Sequence, residues 1–156
     1  MSAAAIVLHV DDDPSDTLLM QQACRKAGVS FQLFSVSDGE AALAYLGGTG
    51  VYADRERYPV PIFVLLDLKM PRRSGFDVLA WIRRESSLKS LPVIILTASS
   101  QDEDIQRAYA AGANSYLVKP VGIHTLMEMV RLVDSYWIGI NHLPAAETTP
   151  TRGGPA

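Results

Sequence analysis

Five short β-rich runs alternate with five longer amphipathic segments along this chain, and that rhythm leaves few folds open. It places strands near residues 5–10, 31–36, 61–67, 92–97 and 115–118, and helices near 15–27, 39–46, 75–86, 101–111 and 122–138. Such alternation predicts an α/β fold, a five-stranded parallel sheet with helices on both faces. At 156 residues the chain is read as one domain, able to bury roughly two-thirds of its unfolded surface.

Local signals punctuate the elements. Pro14 and Ser15 open the first helix and Gly28 closes it. Asp38-Gly39-Glu40, Ser74-Gly75 and Ser99-Ser100-Gln101-Asp102 start the next three, each just after a strand, and Gly112 stops the fourth. The stretch 47–60, GGTGVYADRERYPV, reads as an exposed inserted loop. The domain is drawn over 1–143, with the last helix extended to about 140; residues 144–156, rich in Pro, Ala, Thr and Gly, are expected to form a flexible tail.

Composition excludes several classes of function. A net charge of −3 offers no broad basic field for nucleic acid, and Arg72-Arg73 and Arg83-Arg84 read as solvated faces. No apolar stretch approaches the roughly 20 residues that cross a bilayer, and Met1 to His9 has no signal-peptide character, so no membrane association is expected and the cytoplasm is the predicted compartment. The lone Cys24 falls within a helical pattern and reads as a buried thiol, while His9, His124 and His142 share no metal-ligand spacing and are read as bystanders.

The strand ends carry the chemistry. Ile62 to Leu66 ends at Asp67, Ile6 to Val10 at Asp11-Asp12-Asp13, Val93 to Leu96 at Thr97, and Tyr116 to Val118 at Lys119-Pro120. In open α/β sheets ligands collect outside the carboxyl ends of the strands, so these groups are expected to converge. Three carboxylates in one place either share protons or take up a hard cation. Mg²⁺ is the expected cofactor, because it accepts one or two carboxylates and keeps positions for water and phosphate oxygens, whereas Zn²⁺ wants His or Cys. Asp12, Asp67 and the backbone carbonyl of Lys69 are the expected ligands, with Asp11 acting through water. Thr97 and Lys119 then supply a hydroxyl and a positive charge to a phosphoryl group, and the Asp67 carboxylate is the candidate nucleophile.

These residues resemble the receiver domain of two-component response regulators, a chemotaxis-receiver-like, flavodoxin-like (βα)5 family, from about Ala5 to Tyr136. The resemblance rests on VDDD at 10–13, LLDLKMP at 65–71, ILTAS at 95–99 and AGANSYLVKP at 111–120. It implies that Asp67 accepts a phosphoryl group from a sensor histidine kinase, that Thr97 and Tyr116 act as the switch pair, and that Lys119 senses the phosphate after a cis bond to Pro120. The loop at 47–60 and SYWIGINHLP at 135–144 further resemble single-domain regulators that serve bacterial phytochrome kinases.

Within the last helix Ile123, Leu126, Met127, Val130, Val133 and Trp137 form a stripe suited to the sheet, while Met129, Leu132, Tyr136 and Ile140 form a second. The second stripe, with Trp137, is the candidate homodimer interface; the other reading is that the tail folds back over it. The expected function is a self-phosphorylating and self-dephosphorylating signalling switch with no separate substrate. A Mg²⁺-dependent aspartyl-phosphate phosphatase or phosphotransferase is the alternative, weakened because Lys69 stands where dehalogenase-type enzymes carry an acid. A docking receiver that is never phosphorylated is the third reading, and the intact set Asp11, Asp12, Asp67, Thr97 and Lys119 argues against it.

Overall fold

The computed structural model describes residues 4–145; the sequence-predicted tail lies almost wholly outside them. The strands are β1 (Ala5–Val10), β2 (Phe31–Val36), β3 (Phe63–Leu66), β4 (Val93–Thr97) and β5 (Ser115–Val118). The helices are α1 (Pro14–Ala27), α2 (Gly39–Gly47), α3 (Gly75–Arg84), α4 (Asp102–Ala110) and α5 (Ile123–Val133). All pairings are parallel, in the order β2-β1-β3-β4-β5. The chain adds β2 on one side of β1 and then crosses to lay β3 on the other, which opens a crevice between β1 and β3.

Alternating side chains divide the core into two layers. On one face Leu8, Val10, Val64, Leu66, Val93 and Ile95 pack against α2, α3 and α4. On the other Val7, Phe63, Leu65, Ile94 and Leu96 meet Met20, Ala23 and Cys24 of α1 and Leu126, Val130 and Val133 of α5. Burial pushes the Cys24 thiol up to about 12, which makes it a packing group. Asp13 caps α1 by accepting the Ser15 N–H ahead of Pro14, and Ser74 with Asp77 forms a reciprocal capping box on α3.

One expectation is refined and one corrected. The 47–60 stretch is a largely exposed loop, yet it is strapped down: Tyr45, Tyr52 and Tyr58 form an aromatic cluster with Phe34, and Arg55 donates to the carbonyls of Tyr45, Leu46 and Tyr58. Only the apolar bodies of these tyrosines make that packing possible. Arg83 is likewise no solvated charge, because its guanidinium binds the carbonyls of Gly112, Lys89 and Leu91 and the side chain of Asn114.

Past Val133 the last helix widens into a π-type segment, Asp134–Ile140. Asp134 accepts from the Ser30 backbone N–H and hydroxyl, tying the helix end to the start of β2. The Trp137 ring comes within 6.1 Å of Phe63. Met129 and Trp137 are thus half-buried against the inner layer, whereas Leu132, Tyr136 and Ile140 are exposed.

Candidate functional site at the strand tips

Register brings the predicted groups together. Val10 is level with Leu66, Leu66 with Ile95, and Thr97 with Val118, so the next residue on β1 and β3 reaches the same edge. The Asp67 N–H donates to Val10 O at 3.0 Å, and the Lys119 N–H to Thr97 O at 2.8 Å. Gly75 lets α3 start directly against this edge: a Cβ there would collide with Asp67 O and the Leu68 backbone. No other residue fits that approach.

Carboxylate oxygens of Asp11, Asp12 and Asp67 lie within 4.8 Å of one another. Asp11 is 1% exposed and Asp67 6%, so their repulsion is poorly screened by solvent. Burial pushes the Asp11 carboxyl above its usual range, against the pull of Lys119. Lys119 Nζ stands 2.8 Å from Asp11 Oδ2, 2.8 Å from Asp16 Oδ2 and 3.2 Å from Asp67 Oδ2. Burial works against its charge, yet Asp11, Asp16 and Asp67 together hold it above the ordinary lysine value.

Among the described residues, two buried side-chain polar atoms have no hydrogen-bond partner: Asp11 Oδ2, which does make a 2.8 Å ion pair with Lys119, and Thr97 Oγ1. A fully buried hydroxyl without a partner, beside clustered carboxylates that share a single lysine, marks a place where a ligand completes the bonding. The all-oxygen donor set fits a hard divalent cation. It does not fit Zn²⁺, since the nearby histidine has other ties.

That histidine, His9, is not the bystander read from the sequence. It is buried, with Nε2 3.8 Å from Asp11 Oδ2 and Nδ1 3.4 Å from the Ser35 hydroxyl. Burial, with Lys119 in support, lowers it to about 4, so it faces Asp11 as a neutral imidazole. Its place two residues before Asp11 on an alternating strand is the signal that puts both on one face. Asp16 joins the site as well, and its position in the first turn of α1, beside the strand tips, is its signal in the sequence.

Tyr116 and Lys69 meet a second group of side chains. The Tyr116 hydroxyl donates to Ser99 O at 2.9 Å, the Ser99 hydroxyl donates to Asp104 Oδ2 at 2.6 Å, and Lys69 Nζ is 3.1 Å from the same oxygen. The Lys69 N–H also donates to Asp67 Oδ1 at 3.4 Å. Every described peptide bond is trans, including that before Pro120, which corrects the cis bond implied by resemblance; Lys119 reaches Asp67 from the trans bond.

Comparison with known proteins gives these features a lineage. The probable methanogenesis regulatory protein FilR2 of Methanothrix harundinacea is 36% identical over 89% of this chain and 87% of its own. The response regulator Rcp1 of Synechocystis sp. is 36% identical over 90% and 94%. Among solved structures, response regulator RPA3017 in red light signaling of R. palustris superposes with a TM-score of 0.86 at 37% identity, covering 91% of this chain and 99% of that one. The phosphorylated cyanobacterial phytochrome response regulator RcpA gives 0.83 at 32% over 92% and 100%, and the Mn²⁺-bound form of Rcp1 gives 0.78 at 35% over 90% and 99%. The response regulator receiver domain model matches residues 7–131, and with the acidic pair, the strand-tip aspartate, the threonine and the lysine on one edge, the chain belongs to that family.

Proposed function

We propose that this chain is a phospho-accepting signalling switch with Asp67 as the acceptor. The observation that carries the reading is the unpartnered, fully buried Thr97 hydroxyl at the end of β4, the strand beside the one that ends at Asp67, with Lys119 already on Asp67. An Asp67 oxygen attacks the phosphorus of a phosphohistidine, a P–O bond forms as the P–N bond breaks, and the departing nitrogen takes a proton from solvent, so the histidine leaves as neutral imidazole. Thr97 donates to one phosphoryl oxygen and Lys119 balances the new charge. Hydrolysis reverses the gain: water attacks phosphorus, the acyl P–O bond breaks, and Asp67 returns as a carboxylate.

Asp12, Asp67 and the Lys69 carbonyl are the residues to hold Mg²⁺, with Asp11 acting through water. When bound, the ion neutralises charge on the phosphoryl oxygens. A related receiver is described with Mn²⁺, which supports a divalent ion of hard-ligand type.

The writer of the mark is a sensor histidine kinase of phytochrome type in this reading, supported by relatives described with red-light signaling and phytochromes. The switch is Thr97 with Tyr116, whose hydroxyl is held by the Ser99 carbonyl and can leave it when the β4–α4 loop shifts. Output passes through protein contacts, including a homodimer on the exposed strip Leu132, Tyr136 and Ile140, flanked by Met129 and Trp137. No described helix is long and apolar enough to cross a membrane, in keeping with a cytoplasmic site of action.

Incubation with acetyl phosphate and Mg²⁺, read by intact mass, tests the core of the proposal. The wild type gains one phosphoryl group and Asp67→Asn gains none; labelling that persists in the variant removes Asp67 from its role. Sedimentation of the full chain tests the dimer: Leu132→Glu with Ile140→Glu dissociates it, and a parent that is monomeric at micromolar concentration overturns it.

A further inference from the structure

Lys69 and Ser99 stand two residues beyond Asp67 and Thr97, and one carboxylate engages both. Asp104, the third residue of α4, is 8% exposed, and a single oxygen of it takes the Ser99 hydroxyl and the Lys69 ammonium. Ser99 is also the hub of its loop, since its hydroxyl accepts the Gln101 N–H at 3.3 Å and its carbonyl accepts the Tyr116 hydroxyl. Asp104 therefore ties together the loop after β3, the loop after β4 and the β5 aromatic.

The tie is electrostatic. The Ser99 hydroxyl at 2.6 Å and the Lys69 ammonium at 3.1 Å converge on Asp104 Oδ2, so its negative charge is the common anchor of both. The Lys69 side chain is 60% exposed, a long chain fixed only at its tip. Its backbone N–H already touches Asp67 Oδ1, so the ammonium belongs to a residue at the edge of the acceptor carboxylate. A phosphoryl group on Asp67 brings two negative charges into competition with Asp104 for that one cation.

We propose that Asp104 is a positioning residue for the chemistry at Asp67: it holds the Lys69 ammonium away from the acceptor until a phosphoryl group competes for it, and release of Lys69 loosens the Ser99 loop that holds Tyr116. The inference rests on Asp67 being the acceptor. It also explains why the ammonium of a lysine so close to the acceptor pairs with Asp104, whereas that of Lys119 pairs with Asp67.

The test is a two-by-two set of rates for phosphorylation by acetyl phosphate in Mg²⁺ at low salt, using the full chain. Asp104→Asn keeps the shape, removes the charge and frees Lys69 to attract the anionic donor, so its rate rises about two- to five-fold and the gain fades as salt is added. Lys69→Ala sets the baseline for the pair, and Lys69→Ala combined with Asp104→Asn shows no gain over Lys69→Ala alone. A wild type that takes no phosphoryl group overturns the acceptor reading itself. A phosphorylated wild type with an unchanged Asp104→Asn rate, or a gain that survives loss of Lys69, overturns this inference alone. If Asp104→Asn does not fold, the side-chain ¹⁵N resonance of Lys69 in the wild type, assigned by its loss in Lys69→Ala, shifts on phosphorylation; an unmoved resonance overturns the inference.

Discussion

Arg83 and Lys119 are both partly buried cations, and they are satisfied in opposite ways. The Arg83 fork meets neutral acceptors at fixed angles, the carbonyls of Gly112, Lys89 and Leu91 and the Asn114 amide oxygen, and closes the end of α3 onto the loops before β4 and β5. Lys119 meets three carboxylates, one of them without a true hydrogen bond, beside a threonine hydroxyl that has no partner at all. The first arrangement is complete and needs nothing from outside. The second leaves excess negative charge and orphaned atoms, the condition of a site whose bonding a ligand completes.

Removing the two cations therefore has different consequences. Arg83→Ala strips several charge-assisted hydrogen bonds and leaves carbonyls without donors, so chemical denaturation shows a loss of about 4 kcal/mol that Mg²⁺ does not alter. Lys119→Met loses roughly 2 kcal/mol in chelator and recovers about half of it in millimolar Mg²⁺, because a divalent ion replaces part of the missing charge. Equal Mg²⁺ dependence in both variants would break the comparison.

A smaller effect comes from His9. Unfolded, it takes up a proton near 6.5; folded, burial keeps it neutral down to about 4. The unfolded state thus binds more protons in that window, so this contribution is fully present above pH 6.5 and is lost as pH falls toward 4. It amounts to about 3 kcal/mol at most. Stability curves of wild type and His9→Leu in the absence of metal should diverge between pH 7 and 4, and parallel curves would refute the assignment.

The smallest effect has the opposite sign to an ordinary mutation. Asp12→Asn relieves repulsion with Asp11 and Asp67 and raises metal-free stability by about 1 kcal/mol, while abolishing stabilisation by Mg²⁺. Urea midpoints with and without Mg²⁺ measure both halves. A variant less stable than wild type without metal would show that Asp12 is held by the fold rather than opposed by it.

Much of this was legible beforehand. Strand and helix periods are local properties of the chain, so the five βα units fell within a few residues of their observed bounds, and Asp67, Thr97 and Lys119 declared themselves by ending apolar runs. The residues that escaped notice act at a distance. Asp16 meets Lys119 across 103 positions and Arg83 meets Asn114 across 31, and no local pattern encodes either meeting. Asp104 looked like an ordinary acidic residue in a helix's first turn until Ser99 and Lys69 were seen on one of its oxygens.

The 47–60 loop shows the same boundary from the other side. Its glycines and charges read as exposure, yet Tyr52 and Tyr58 pack on Tyr45 and Arg55 saturates three carbonyls. Amphipathic side chains can face either way, and only their neighbours decide. By itself the sequence determined the layered α/β architecture and which polar groups stand at the strand tips, because both follow from spacing along the chain. The tertiary structure decided which of those groups are left unsatisfied, that His9 and Asp16 join them, and that Lys69 is turned to Asp104, because each depends on the register and burial that only packing sets.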